Sequence, residues 1–107
     1  MSRFVIQCFE KNNKYWQNIG NYTPDFLMLS RNENNEINKA LIIETKGKGF
    51  ANDPVFKAKK HFVETEFLKR NNEAFNYNRF DFLYLEDDKD INKHLETLEQ
   101  KINTFFK

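Results

Sequence analysis

Cysteine is nearly missing from this sequence: Cys8 is the only one, so no disulfide can form within the chain. A lone thiol beside Phe9, with no base positioned to activate it, reads as a small buried hydrophobe rather than a nucleophile. Long apolar runs are missing too. The longest are four residues, such as Ala40 to Ile43 and Phe26 to Leu29, against the ~20 that a membrane helix needs. The opening Met1-Ser2-Arg3-Phe4-Val5-Ile6 has neither the apolar segment nor the small-residue cleavage site of a secretory signal, so an intracellular, cytoplasmic location with no membrane partner is expected. Nor is there an excess of one charge. The 17 Lys and Arg against 16 Asp and Glu leave a net +1, which by itself does not indicate a nucleic-acid partner. His61 and His94 have no third ligand at metal spacing, which argues against zinc. No Gly-rich Lys-Ser/Thr loop for nucleotide phosphates occurs, so ATP-driven motion cannot come from this chain.

Bulky apolar material is plentiful: 39% of the 107 residues are hydrophobic and 16% aromatic, with twelve Phe, enough for one modest core. A single domain over residues 1–107 is expected. Phe4, Val5, Cys8 and Phe9 fall at helical spacing and predict a first helix from about Ser2 to Gln17. The pairs Asn12-Asn13, Asn34-Asn35 and Asn71-Asn72 read as turns, and Ile19 to Tyr22 as a turn or short edge strand. Asp25 to Ser30 and Lys39 to Lys46 predict two antiparallel strands. Asp53-Pro54 starts a helix reaching about Arg70, with Val55, Phe56, Phe62, Val63 and Phe67 on its buried side. Phe80 to Glu86 gives a third core strand. Ile91, Leu95, Leu98, Ile102 and Phe105 mark a last amphipathic helix. The fold class is therefore α/β or mixed α+β, a central mixed sheet flanked by helices.

On a strand, Glu44 and Lys46 project from one face with Thr45 between them, and Asp25 begins the strand that the hairpin folds back beside them. Two hard carboxylates suit Mg²⁺, with waters and a substrate phosphate completing its octahedron; Mn²⁺ could substitute. Lys46 would position or help deprotonate the attacking water, or stabilise charge on the phosphate. The plainer account is a solvent-facing Glu and Lys after a Pro-Asp turn. Against it, the neighbouring positions Phe26, Leu27, Leu29, Leu41 and Ile43 are apolar, and ionised groups near a core are costly without a partner. Lys46, Lys48, Lys57, Lys59 and Lys60 share 15 residues with one acid, Asp53, and of these Lys48, Lys57 and Lys60 are candidate DNA contacts, although a solvated helix face explains them equally well.

Tyr22-Thr23-Pro24-Asp25-Phe26-Leu27, then Leu41-Ile42-Ile43-Glu44-Thr45-Lys46-Gly47, then Asp53 with Lys57 resemble the PD-(D/E)xK nuclease domain at the C-terminus of type III restriction enzyme Res subunits. The resemblance runs from about Phe9 to Glu86 and is tightest from Tyr22 to Lys57. It implies a restriction-endonuclease-like fold and Mg²⁺-dependent cleavage of double-stranded DNA. It also implies metal binding by Asp25, Glu44 and the Thr45 carbonyl, with Lys46 as catalytic lysine. A helicase/ATPase region or other restriction subunits outside this chain would be partners. Relatives often carry a further acid on the first helix, and Glu10 lies too late to supply it. The alternative is a nuclease-fold DNA-binding or protein-docking module without turnover. Tyr15 and Trp16 read as packing residues. The stripe on the last helix could pair with a second copy, and Phe105-Phe106 points to a contact with a partner or an outside domain.

Overall fold

Residues 4–47, 52–87 and 91–106 are described in this computed structural model. The N-terminal segment is a β-hairpin, where helical spacing predicted a helix from Ser2 to Gln17. Strands β1 (Ile6–Asn12) and β2 (Tyr15–Tyr22) pair antiparallel, joined by Asn13 and Lys14. Buried Ile6 and Cys8 flank exposed Gln7, the two-residue period of a strand with one covered face. Asn13 takes φ 57, a left-handed conformation that Asn tolerates in tight turns. Helical spacing at Phe4, Val5, Cys8 and Phe9 thus overlaps the true alternation of Ile6 and Cys8, and the Asn12-Asn13 turn signal wins over it.

A second turn joins β3 (Phe26–Arg31) to β4 (Ile37–Gly47). The Asn32 side chain accepts from the amides of Asn34 and Glu36, and Asn35 sits at φ 62. These strands pair antiparallel with Phe26 opposite Ile43. After β4 comes a helical segment: α1 (Pro54–Phe62), a π-helical turn (Val63–Phe67) and α2 (Leu68–Phe75). Asp53 caps α1 by accepting from the Phe56 amide at 3.3 Å, with Pro54 at the first helical position. The predicted helix end near Arg70 is overrun, so Asn71 and Asn72 are helical rather than a turn; the stop is Asn76, left-handed at φ 63. Asn72 instead grips the start of the next strand, accepting from the Phe80 amide at 2.8 Å and donating to its carbonyl at 3.0 Å.

That strand, β5 (Phe80–Asp87), lies parallel to β4, with Ala40 opposite Phe80, and gives the mixed order β3-β4-β5. One face packs Ile42 and Phe82 against Ile6, Cys8 and Tyr22 of the hairpin and Phe62 and Val63 of the helical segment. The opposite face packs Leu41, Ile43, Leu83 and Leu85 against Leu98, Ile102 and Phe105 of α3 (Ile91–Phe105). Phe105 is 7% exposed and Phe106 packs on the same cluster, so this terminal pair belongs to the core rather than to a surface awaiting a partner. Lys101 pairs with Asp81 at 2.8 Å, and Lys39 donates to the Phe105 carbonyl at 2.6 Å, tying α3 to the sheet. Among the described residues, no helix is long and apolar enough to cross a membrane.

Candidate functional site

Glu44 is the one charged residue buried among the described residues, 2% exposed on the central strand, facing the hairpin side with Ile42. An ionised carboxylate there needs strong donors. Tyr22, at the end of β2, provides one: its hydroxyl donates to Glu44 Oε2 at 2.6 Å. Burial, followed by the hydrogen bond to Glu44 and the charge of Glu44, and then the charges of Asp25 and Cys8, pushes the Tyr22 phenol far above its ordinary range. Tyr22 therefore stays a neutral donor. Its ring packs against Phe82 at 6.4 Å, so ring packing and hydrogen bond together fix the carboxylate.

Asp25 stands immediately before β3. Phe26, the first paired residue, lies opposite Ile43, which brings Asp25 to the end of the strand pair where Glu44 and Thr45 follow. Asp25 is exposed, and its Oδ2 accepts from both the amide and the hydroxyl of Thr45 at 3.0 Å each. Its Oδ1 has no hydrogen-bond partner among the described residues. One carboxylate is thus gripped beneath the surface and the other is anchored at the surface through Thr45.

A cleft of about 250 Å³ opens on Glu44, lined also by Tyr22, Thr23, Asp53, Val55, Phe56 and Lys59. Val55, expected on the buried side of its helix, is 54% exposed at this cleft. Tyr84 lies next to Glu44 in the β4-β5 register, its ring 5.9 Å from that of Phe56. The Tyr84 hydroxyl is buried without a hydrogen-bond partner among the described residues. Its acidity is weakened by burial first and then by the charges of Glu86 and Glu44.

The structure brings Asp25, Glu44 and Thr45 together. Lys46 occupies β4 opposite Glu86, but the expectation for its side chain lies outside the described residues, as does Lys48. Lys57 is exposed on α1. Lys60 pairs with Glu64 at 2.6 Å and lies 4.9 Å from the Tyr84 ring centre. Tyr15 and Trp16 are not packing residues of a helix end: they lie on β2, 77% and 44% exposed, with the Arg70 guanidinium 5.2 Å from the Trp16 ring centre. Sequence reasoning passed over Tyr22, Tyr84 and Lys59. Tyr22 carried a signal, three residues before Asp25, whereas Tyr84 and Lys59 become part of the site only through strand register and helix packing.

Among the described residues, no group of three or more His, Cys, Asp or Glu is poised around one point. The carboxylates that line the cleft are Glu44 and Asp53, and Asp25 is held on Thr45 outside that lining. That chemistry fits a hard divalent cation that keeps most of its waters, and it does not fit zinc. Comparisons of the chain with protein-family models, with curated proteins and with solved structures found no match.

Proposed function

We propose that this chain is a Mg²⁺-dependent endonuclease domain of the PD-(D/E)xK class, hydrolysing phosphodiester bonds of double-stranded DNA within a restriction or DNA-processing system. The observation that carries this reading is an exposed Asp25 carboxylate just before β3, anchored to Thr45, the residue next in sequence to a Glu44 carboxylate buried under Tyr22 on β4. The parallel β4-β5 pair, the intervening helical segment and the sequence Ile43-Glu44-Thr45-Lys46-Gly47 support a restriction-endonuclease-like core.

In this reading Asp25, Glu44 and the Thr45 carbonyl hold the cation. When bound, Mg²⁺ supplies positive charge against the phosphodiester and makes water more acidic. Tyr22 keeps Glu44 in one orientation, and Thr45 does the same for Asp25 through two hydrogen bonds. Two residues after Glu44, Lys46 positions or deprotonates the attacking water, or meets the charge accumulating on the phosphate. Lys57, on the solvent side of α1, and Lys48 are the further DNA contacts. Lys60 contributes less, because Glu64 already neutralises it.

Supercoiled plasmid incubated with the protein tests the reading. Nicked or linear DNA should form with Mg²⁺ or Mn²⁺ and not with chelator. Plasmid that stays supercoiled with either cation, while duplex DNA still binds, would instead favour a binding module without turnover.

A further inference from the structure

Helix α1 carries Lys57, Lys59 and Lys60, and the structure gives them different surroundings. Lys57 is exposed to solvent, and Lys60 is paired with Glu64. Lys59 is half-buried and lines the cleft that contains Glu44. Its ammonium makes no hydrogen bond or ion pair among the described residues.

The seat of this lysine is built by the hairpin. Between Cys8 and Phe9 the β1-β2 register slips, so Cys8 faces Gly20 while Phe9 faces Asn18, and Ile19 is the extra residue of a bulge. Gly20 takes φ +109, where a side chain would be strained, and its amide donates to the Asn18 side chain at 2.7 Å. A Cβ on Gly20 would lie 3.3 Å from both Cε and Nζ of Lys59. The absent side chain is therefore the space in which the end of Lys59 rests.

We infer that Lys59, seated over Gly20 and facing the cleft beside Glu44, binds a backbone phosphate of the nucleic acid, an inference that rests on the nuclease reading above. A half-buried ammonium that lacks an ionic partner is completed by an anion with several acceptor oxygens. The cleft, at about 250 Å³, is below the about 300–1,000 Å³ usual for pockets that enclose whole small molecules. An open notch of that size suits a phosphate on a larger chain. Lys59 is then distinct from the strand lysine Lys46: it grips the substrate and takes no proton.

The test is binding of a DNA duplex to the full chain in Ca²⁺, followed by fluorescence anisotropy over a range of salt. Lys59→Gln should lower the slope of log affinity against log salt by about one, the share of one phosphate contact. Lys59→Arg should restore it, and Lys101→Gln, on the helix that covers the opposite face of the sheet, should leave it near wild type. Gly20→Ala should lower it as well, because the new methyl displaces the lysine. A slope unchanged by Lys59→Gln, or a wild-type chain that does not bind DNA, overturns the inference. If Lys59→Gln lowers the slope but the wild type cleaves nothing in Mg²⁺, the phosphate contact stands and the nuclease reading falls.

Discussion

The two faces of the β3-β4-β5 sheet are built from different materials. Against α3 the contacts are aliphatic, Leu41, Ile43, Leu83 and Leu85 meeting Leu98 and Ile102, with Phe105 closing the end. Against the hairpin and the helical segment they are largely aromatic: Phe9 meets Phe62 at 5.9 Å, Phe67 meets Phe80 at 5.1 Å, and Tyr22 and Tyr84 stand among the phenylalanines. Aliphatic side chains fill space and offer no donors. Tyr has an apolar body with a polar tip, so an aromatic face can hold a carboxylate such as Glu44 in its interior without leaving it unsatisfied. The face against α3 stabilises the sheet, and the face against the hairpin also holds the buried carboxylate of Glu44.

That division predicts separable losses. The largest concerns Lys46: replacement by Ala should lower single-turnover cleavage by more than about a hundredfold, on the scale of removing one preorganised charge from a transition state. Lys46→Arg should also be impaired, since it keeps the charge but changes reach and proton affinity. Calorimetry should find metal binding retained in both. On the face against α3, Leu41→Ala should cost about 2–5 kcal/mol in urea denaturation, because Leu41 is fully buried. Its cleavage rate in the folded state should stay near wild type.

Tyr22→Phe should have a smaller effect. It keeps the ring against Phe82 and deletes the donor to Glu44, a hydrogen bond to a charged group contributing about 1.5–3 kcal/mol. Denaturation should show that loss, and cleavage should fall along with it. Equal cleavage by Tyr22→Phe and wild type would separate Glu44 orientation from activity. The smallest effect is pH-dependent. Burial pushes the Cys8 thiol up from 9.0 to about 11, with the nearby charge of Lys59 acting the other way. The unfolded chain ionises first, so the thiol's contribution is complete below pH 9.0 and is lost as pH rises through about 11. Cys8→Ala should flatten the fall of denaturation midpoint across that window, and alkylation of native Cys8 at pH 8 should be slow.

Legibility in the sequence followed sequence distance. Strands β3, β4 and β5, the Asp53-Pro54 helix start and the α3 stripe were readable because each is set by its own alternation, cap or helical spacing. The hairpin was not, because Phe4, Val5, Cys8 and Phe9 satisfy a helical period while the strand period is carried by the overlapping set Phe4, Ile6 and Cys8 over so short a span. That Asp25 lies near the Glu44-Thr45 step could be read from strand alternation and the turn between β3 and β4. The donors around them could not. Tyr22 reaches Glu44 because the hairpin folds over the sheet, and Lys59 reaches the cleft because a bulge in β2 brings Gly20 beneath it. Both depend on contacts between elements that no local pattern encodes.

The most direct test of the division between faces compares Glu44→Gln with Leu41→Ala in single-turnover cleavage of duplex DNA with saturating Mg²⁺, at a temperature where circular dichroism shows both folded. Glu44→Gln keeps the shape of the side chain and its place beside Tyr22 but removes the charge that would hold the cation. The account predicts no detectable cleavage by Glu44→Gln and a near wild-type rate for Leu41→Ala. A Glu44→Gln protein that cleaves as fast as wild type would contradict it.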